Sequence, residues 1–110
     1  YRSEIDDAVN IYYKSLKMAQ SYSEDGFYDT SWGVAFSNYE VIVFSGSSFT
    51  GRNATFDRAW SIGNRFTVTG VTEVVFNKLH GTPNTTGAIN ITNNGITKTI
   101  TVNAKGQITF

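Results

Sequence analysis

Cysteine is absent from this chain of 110 residues, and histidine and proline each occur once. The absence of cysteine excludes disulfide bonds, zinc sites built on thiolates and thiol nucleophiles. Positive and negative charges balance to a formal net charge of zero, so the composition gives no general reason to expect a polyanionic partner. The sequence also has no apolar run near the roughly twenty residues that a membrane-spanning helix needs.

Residues suited to catalysis are few and scattered. His80 directly precedes a turn at residues 81–83, where we expect it to be exposed to solvent. Glu40, Asp57 and Glu73 fall in separate segments, whereas glycoside hydrolysis needs two facing carboxylates. No glycine-rich phosphate loop joins a strand to a helix. We therefore expect a protein that is not an enzyme and that has neither a cofactor nor a metal site.

A helical pattern occupies residues 1–22. Its apolar residues recur at steps of three and four and form one stripe: Ile5, Val9, Tyr12, Leu16 and Ala19. The segment 23–26 ends in glycine and predicts the end of the helix near Tyr22. Such a helix is roughly 33 Å long, whereas a domain of this size has a radius of gyration of about 13 Å. We therefore expect the helix to cross the domain and protrude as a stalk.

From Ser31 onward the apolar period changes to two, which is typical of strands. About seven short strands are predicted, at 32–36, 39–44, 66–69, 72–76, 87–91, 97–102 and 107–110. Tight turns are expected at 37–38 and at the Asn94-Gly95 pair. Residues 45–65 are predicted to form a long loop, with room for a short strand near Phe56. The predicted fold is one α+β domain over residues 1–110, either a two-sheet β sandwich or a curled sheet near the helix.

Several stretches behind the polar helix resemble one protein family in their order and spacing. They are residues 32–36 (WGVAF), 75–76 (VF), 81–83 (GTP), 87–91 (GAINI), 99–103 (TITVN) and 106–108 (GQI). This order is similar to the minor pseudopilins of type II secretion systems and the minor type IV pilins. The similar group includes the H-type pseudopilin and the pilus protein FimT. The resemblance covers about residues 5–110.

The resemblance implies a structural subunit that assembles into, primes or caps a type IV pilus or a type II secretion pseudopilus. Members of this family are made as prepilins with an apolar N-terminal helix, which anchors them in the bacterial inner membrane. A dedicated peptidase cleaves the leader, and the new N-terminus is methylated. Because the chain begins at Tyr1 within a helical pattern, we expect residues 1–22 to be the solvated lower half of that helix. Residues 31–110 would then form a pilin-like β head in the periplasm or outside the cell.

Partners implied by the resemblance are other pilin or pseudopilin subunits, contacted through the helix. The candidate assembly residues are Ile5, Val9, Tyr12 and Leu16, which would face both the chain's own sheet and neighbouring subunits. For Tyr12 and Leu16, which lie nearest the head, packing on the sheet alone is the simpler expectation. For Ile5 both interpretations stay open.

Two alternative functions use the same scaffold. In the first, the 45–65 segment grips DNA or a secreted substrate at a pilus tip, because basic and aromatic residues together can hold single strands. Its candidate residues are Arg52, Arg58, Arg65 and Trp60, although the aromatic side chains of this segment could instead tuck it onto the core. In the second alternative, the chain is a secreted β-rich adhesin-type domain and the helix is merely its cover.

Overall fold

The computed structural model describes residues 4–110, in which one long helix is followed by two antiparallel sheets of four strands each. The helix, α1, spans Glu4–Glu24. The strands are β1 (Trp32–Ser37), β2 (Glu40–Ser45), β3 (Arg58–Ser61), β4 (Thr67–Gly70), β5 (Glu73–Phe76), β6 (Gly87–Asn93), β7 (Ile96–Val102) and β8 (Ile108–Thr109). Short 3₁₀ turns lie at Phe27–Asp29 and Ala54–Phe56. The predicted α+β class is confirmed, with one strand more than expected.

The C-terminal boundary of α1 lies slightly beyond the predicted one. The helix continues through Tyr22 to Glu24, and Gly26 then takes the left-handed conformation (φ 63°) that suits a residue just after a helix. The first residues of the predicted helix, 1–3, lie outside the described residues.

The apolar stripe of α1 is buried along the described length of the helix. Ile5 is 4% exposed near the helix start, and Leu16 is fully buried. α1 contacts β1, β2 and β5 of the first sheet and β6, β7 and β8 of the second. The expectation of a protruding stalk is wrong for the described residues, because the apolar stripe is packed on the sheets as far as Ile5, next to the first described residue of the helix.

Two sheets form, rather than one curled sheet, and both pack on α1. The strand order is β3-β2-β1-β5 in the first sheet and β4-β6-β7-β8 in the second. The chain alternates between the sheets, since β4 joins the second sheet and β5 returns to the first. Buried side chains of both sheets, such as Trp32, Phe76 and Ile89, belong to one core cluster with the helix stripe.

The two tightest hairpins use turns in which both central residues have positive φ. In the β6–β7 hairpin these are Asn94 and Gly95, at φ 52° and 77°, as the Asn-Gly pair predicts. In the β1–β2 hairpin they are Asn38 and Tyr39, at φ 51° and 61°. The prediction placed this second turn one residue early, because tyrosine rarely adopts a left-handed conformation and gives no signal for it.

The segment 45–65 is not one long loop. β3 pairs with β2 in antiparallel register, with Trp60 opposite Val41 and Arg58 opposite Val43. A 3₁₀ turn, not a strand, occupies the position of Phe56. The short strand expected near Phe56 begins two residues later, at Arg58, because its four residues are too few for a period of two to locate it.

Buried polar side chains of α1 attach the helix to the ends of the strands. The Ser23 hydroxyl accepts a hydrogen bond from the Trp32 N–H at 2.8 Å and donates one to the Phe76 carbonyl oxygen at 2.9 Å. The Gln20 side-chain amide donates to the carbonyl oxygens of Gly81 at 3.0 Å and Gly106 at 2.6 Å. These bonds fix the position of the helix relative to both sheets.

Candidate functional site

The first part of the 45–65 segment covers the outer face of the first sheet, opposite α1. Phe49 packs there against a small cluster formed by Ala35, Phe44 and Val75. Its ring lies 5.5 Å from the Phe44 ring, measured between centroids, in an edge-to-face arrangement. Both faces of β1 and β2 are therefore buried, one by the helix and one by this segment.

Arg52 holds this outer cover together. Its guanidinium carbon lies 3.9 Å from the centroid of the Phe49 ring, and its Nη1 donates to the Phe49 carbonyl oxygen at 2.9 Å. Its Nε donates to both carboxylate oxygens of Asp57, at 2.9 and 3.1 Å. A guanidinium with its stacking face, Nε and Nη1 engaged in this way acts in packing, and it is poorly placed to bind a nucleic acid or another ligand.

The other predicted loop residues lie elsewhere. Arg58 and Trp60 are on β3, and both point to the α1 side of the first sheet, because their partners Val43 and Val41 are buried in the core that contains α1. Arg65 is exposed in the connection between β3 and β4, where it already has an interaction. The structure thus separates Arg52 from Arg58 and Trp60, and the four residues do not form one basic patch.

A cleft runs along α1 on the side of β3, and we call it the α1–β3 furrow. Its central part, about 280 Å³ in volume, is lined by Ile11, Lys14, Ser15, Met18 and Trp60. Towards the start of α1 it continues as a cleft of about 390 Å³, lined by Asp7, Ala8, Ile11 and residues 61–66. Met18 and Ile11 are half-buried and Trp60 is 36% exposed, so the centre of the furrow has an apolar surface open to solvent.

An aromatic cluster lies beyond the far end of α1. The rings of Tyr28 and Phe56 stack at 4.3 Å between centroids, with 22° between their planes. Phe27 and Tyr22 pack on Trp32, whose indole N–H donates to the Phe27 carbonyl oxygen at 2.9 Å. A cleft of about 340 Å³ opens between these rings and Arg58.

Phe27 and Tyr28 were not among the residues predicted from the sequence to be functional. Tyr28 is 59% exposed, and both Tyr28 and Asp29 have positive φ, at 55° and 57°. Asp29 forms an ion pair with Lys78, which ties this turn to the segment after β5. The only available signal was three aromatic residues close to the end of a predicted helix, at Tyr22, Phe27 and Tyr28.

The four candidate assembly residues are all in the core of the described part of the chain. Ile5, Val9, Tyr12 and Leu16 belong to the cluster that packs between the two sheets. Tyr12 is 1% exposed, and its hydroxyl has no hydrogen-bond partner among residues 4–110. Burial of this phenol raises its pKa above the ordinary value of 10.0, because an apolar environment disfavours the phenolate. The helix surface left open to a neighbouring molecule is the opposite one.

The remaining ionisable residues form no metal-binding group in the described chain. His80 is exposed, as expected for its position before a turn. Among residues 4–110, no three or more His, Asp or Glu side chains are placed to hold a metal ion. No helix in this part of the chain is long and apolar enough to cross a membrane.

Comparison of the chain with protein-family models, with curated proteins and with solved structures found no match.

Proposed function

We propose that this chain is the head and lower helix of a minor pilin or pseudopilin, a structural subunit that assembles into, primes or caps a type IV pilus or a type II pseudopilus. The observation that carries the proposal is the architecture. One N-terminal helix packs against both antiparallel sheets, so that a filament built on the helix would display the head along its surface. Such a subunit acts by assembly and needs no catalytic residues.

The residues that carry the family resemblance have positions that support the proposal, because they fix this architecture. A Cβ atom on Gly33 would come within 2.6 Å of the Val74 carbonyl oxygen and 2.7 Å of the Phe44 ring. Gly81 and Gly106, from two other motifs, meet at the Gln20 side chain. Motifs far apart in sequence therefore converge on the same junction between helix and sheets.

Assembly would use the face of α1 that the core leaves open. Lys14 and Lys17 are exposed on this face, and Ile11, Met18 and Tyr22 are half-buried beside them. A helix with one fully buried face and a second, partly apolar face can pack on its own head and on a neighbouring helix at once. In this proposal the residues first suggested for intersubunit contact hold the head, and the opposite face makes the contact.

The proposal also places an apolar helix upstream of Tyr1 in the native protein. That helix would anchor the subunit in the bacterial inner membrane before assembly, with the head in the periplasm or outside the cell. The first test is the intact mass and N-terminal peptide of the native protein from its source membrane. An N-methylated residue followed by about twenty apolar residues is the expected result. A native N-terminus at Tyr1, or a signal-peptidase cut with no apolar helix, would remove the filament role.

The position of the helix contact can be tested separately by cross-linking, since the chain has no cysteine and an introduced one is unique. We expect Lys17→Cys to give cross-linked oligomers in assembled filaments. Lys105→Cys, in the exposed turn before β8, is the matched control and should not cross-link through the helix. Equal cross-linking from both positions would contradict assembly through the open face of α1.

A further inference from the structure

β3 is an edge strand with an open side. Within the described chain it has one strand neighbour, β2, and all four of its residues are exposed. Beyond its pairing with β2, the backbone of Arg58–Ser61 makes no other hydrogen bond among residues 4–110. Edge strands of this kind present unpaired N–H and C=O groups to which an extended segment of another molecule can add.

The side chains of β3 determine what such a segment would meet. Arg58 and Trp60 point to the α1 side of the first sheet, because they pair with residues whose side chains face the core around α1, and Trp60 lines the α1–β3 furrow. In a strand added to β3, every second side chain would lie on the same side, at intervals of about 6.7 Å. These side chains would be positioned over the furrow, one of them beside Trp60.

The furrow combines an apolar centre with unpaired positive charge. Trp60, Met18 and Ile11 provide the apolar surface. Lys14 lies on the helix side of this surface. Arg58 lies beyond the end of the furrow, two residues before Trp60 on β3, where it borders the cleft at the aromatic cluster. Neither cation has an ion-pair partner within the described residues. Two carboxylates lie nearby, and both are already engaged. Asp57 is held by Arg52 at 2.9 Å, and Asp7, in the lining near the start of α1, has an interaction of its own.

We propose that β3 and the α1–β3 furrow bind an acidic, extended segment of a partner protein, which adds to the first sheet as a fifth strand. Backbone hydrogen bonds to β3 hold the segment, an apolar side chain packs on Trp60 and Met18, and flanking carboxylates pair with Lys14 and Arg58. The charge of the furrow and the open backbone of β3 together select this class of partner. The proposal goes beyond the filament role and does not depend on it. Because the furrow shares Ile11, Lys14 and Met18 with the face of α1 proposed for assembly, the segment and a neighbouring helix would compete for this surface.

Two fluorescein-labelled peptides test the proposal by fluorescence anisotropy with the full chain. The acidic probe is Thr-Glu-Thr-Leu-Thr-Glu-Thr, and its charge-reversed counterpart carries lysine at both glutamate positions. We expect the acidic probe to bind about tenfold more tightly than the lysine probe, or better. A third probe has the acidic sequence with the amides of the leucine and of both neighbouring threonines methylated, because the outward backbone groups of β3 are those of Ala59 and Ser61, on either side of Trp60. It should lose binding, because a methylated amide cannot donate to β3.

Variants of the protein locate the binding surface. Trp60→Ala should weaken binding of the acidic probe by about tenfold, since a central aromatic anchor commonly carries much of the affinity. Lys14→Glu and Arg58→Glu should each weaken it by about threefold, the effect of one exposed ion pair. Ile96→Ala and Lys105→Glu, which change an exposed apolar and an exposed basic residue away from the furrow, are the matched controls and should bind as the unchanged protein does.

Several results would overturn the proposal. Equal affinity for the acidic and lysine probes, no detectable binding of either, or full binding of the methylated probe would exclude acidic strand addition at β3. A single-stranded oligodeoxythymidine of about twelve nucleotides can be tested as a competitor of the labelled acidic peptide. If it displaced the label at a lower concentration than the unlabelled acidic peptide does, the furrow would be assigned to nucleic acid instead. A dimer in sedimentation experiments that Trp60→Ala abolishes would assign it to a second copy of the chain. Circular dichroism of each variant establishes that the fold is retained.

Discussion

Tyr12→Phe should make the protein more stable, although it removes a polar group from the centre of the molecule. The Tyr12 side chain is 1% exposed, and its hydroxyl has no partner among the residues that the structure describes. A buried hydroxyl without a hydrogen bond costs about 1–3 kcal/mol of folding free energy. Phenylalanine keeps the ring contacts and leaves a void of only one oxygen atom. We therefore expect Tyr12→Phe to raise the free energy of unfolding by about 1–2 kcal/mol.

The same substitution should change how stability depends on pH. Burial raises the pKa of Tyr12 above its ordinary value of 10.0, so the folded protein keeps the phenol proton at a pH where the unfolded chain loses it. Because the unfolded state then binds fewer protons, stability is lost as the pH rises above 10.0. The loss amounts to about 1.4 kcal/mol between neutral pH and pH 11. The Tyr12→Phe protein does not have this loss. The difference in free energy of unfolding between it and the unchanged protein should therefore grow by that amount between neutral pH and pH 11.

Urea denaturation of both proteins at pH 8 and pH 11 measures both effects. Tyr39→Phe is the matched control, since Tyr39 is exposed and its hydroxyl removal should leave stability nearly unchanged. Tyr12→Ala should instead lose about 3–5 kcal/mol, because it removes the ring as well. If Tyr12→Phe were less stable than the unchanged protein, the hydroxyl would have to be hydrogen-bonded and the argument would fail. A stability difference that stays constant from pH 8 to pH 11 would refute the linkage to ionisation.

Further substitutions test the packing of the head. Ser23→Ala should lower the free energy of unfolding by about 1–3 kcal/mol, because the Trp32 N–H and the Phe76 carbonyl oxygen lose their side-chain partner. Ser21→Ala, on the exposed side of the helix, is the control in the same denaturation assay. Gly33→Ala should cost about 1–3 kcal/mol through overpacking against Phe44, and a thermal midpoint unchanged from the parent would contradict this contact. Tyr39→Gly should stabilise the β1–β2 turn by about 0.5–1 kcal/mol, since glycine relieves the left-handed strain at φ 61°, and a lowered midpoint would show that the tyrosine is not strained there.

Much of the fold could be predicted from the sequence, because its signals are local. The spacing of Ile5, Val9 and Tyr12 defines one helix face whatever packs on it, and that face is the buried one. The Asn94-Gly95 pair specifies its turn through the backbone preferences of two residues. Such features need no knowledge of the rest of the chain.

The features that escaped prediction depend on contacts between distant segments. Whether α1 protrudes is decided by how far the two sheets extend along it, and this depends on how the strands of both sheets pack on the helix. β3 becomes a strand because β2 offers it an edge, since its four residues carry no clear period of their own. Arg52 resembled a ligand-binding cation in the sequence, but its stacking on Phe49 and its bonds to Asp57 depend on how the segment folds back over the sheet.

The contrast between local signals and contacts between distant segments also determines what the family resemblance supports. Its motif residues Gly33, Gly81 and Gly106 lie where backbone or side-chain atoms approach too closely for a Cβ atom, so these positions are constrained by packing. A resemblance built on such residues is an argument about architecture, and it supports a filament role only through that architecture. The α1–β3 furrow, by contrast, is formed by residues outside the motifs, such as Lys14 and Trp60. A partner specific to this protein would bind at that furrow. The native N-terminus therefore tests the filament role, and the peptide probes separately test binding of a segment at β3.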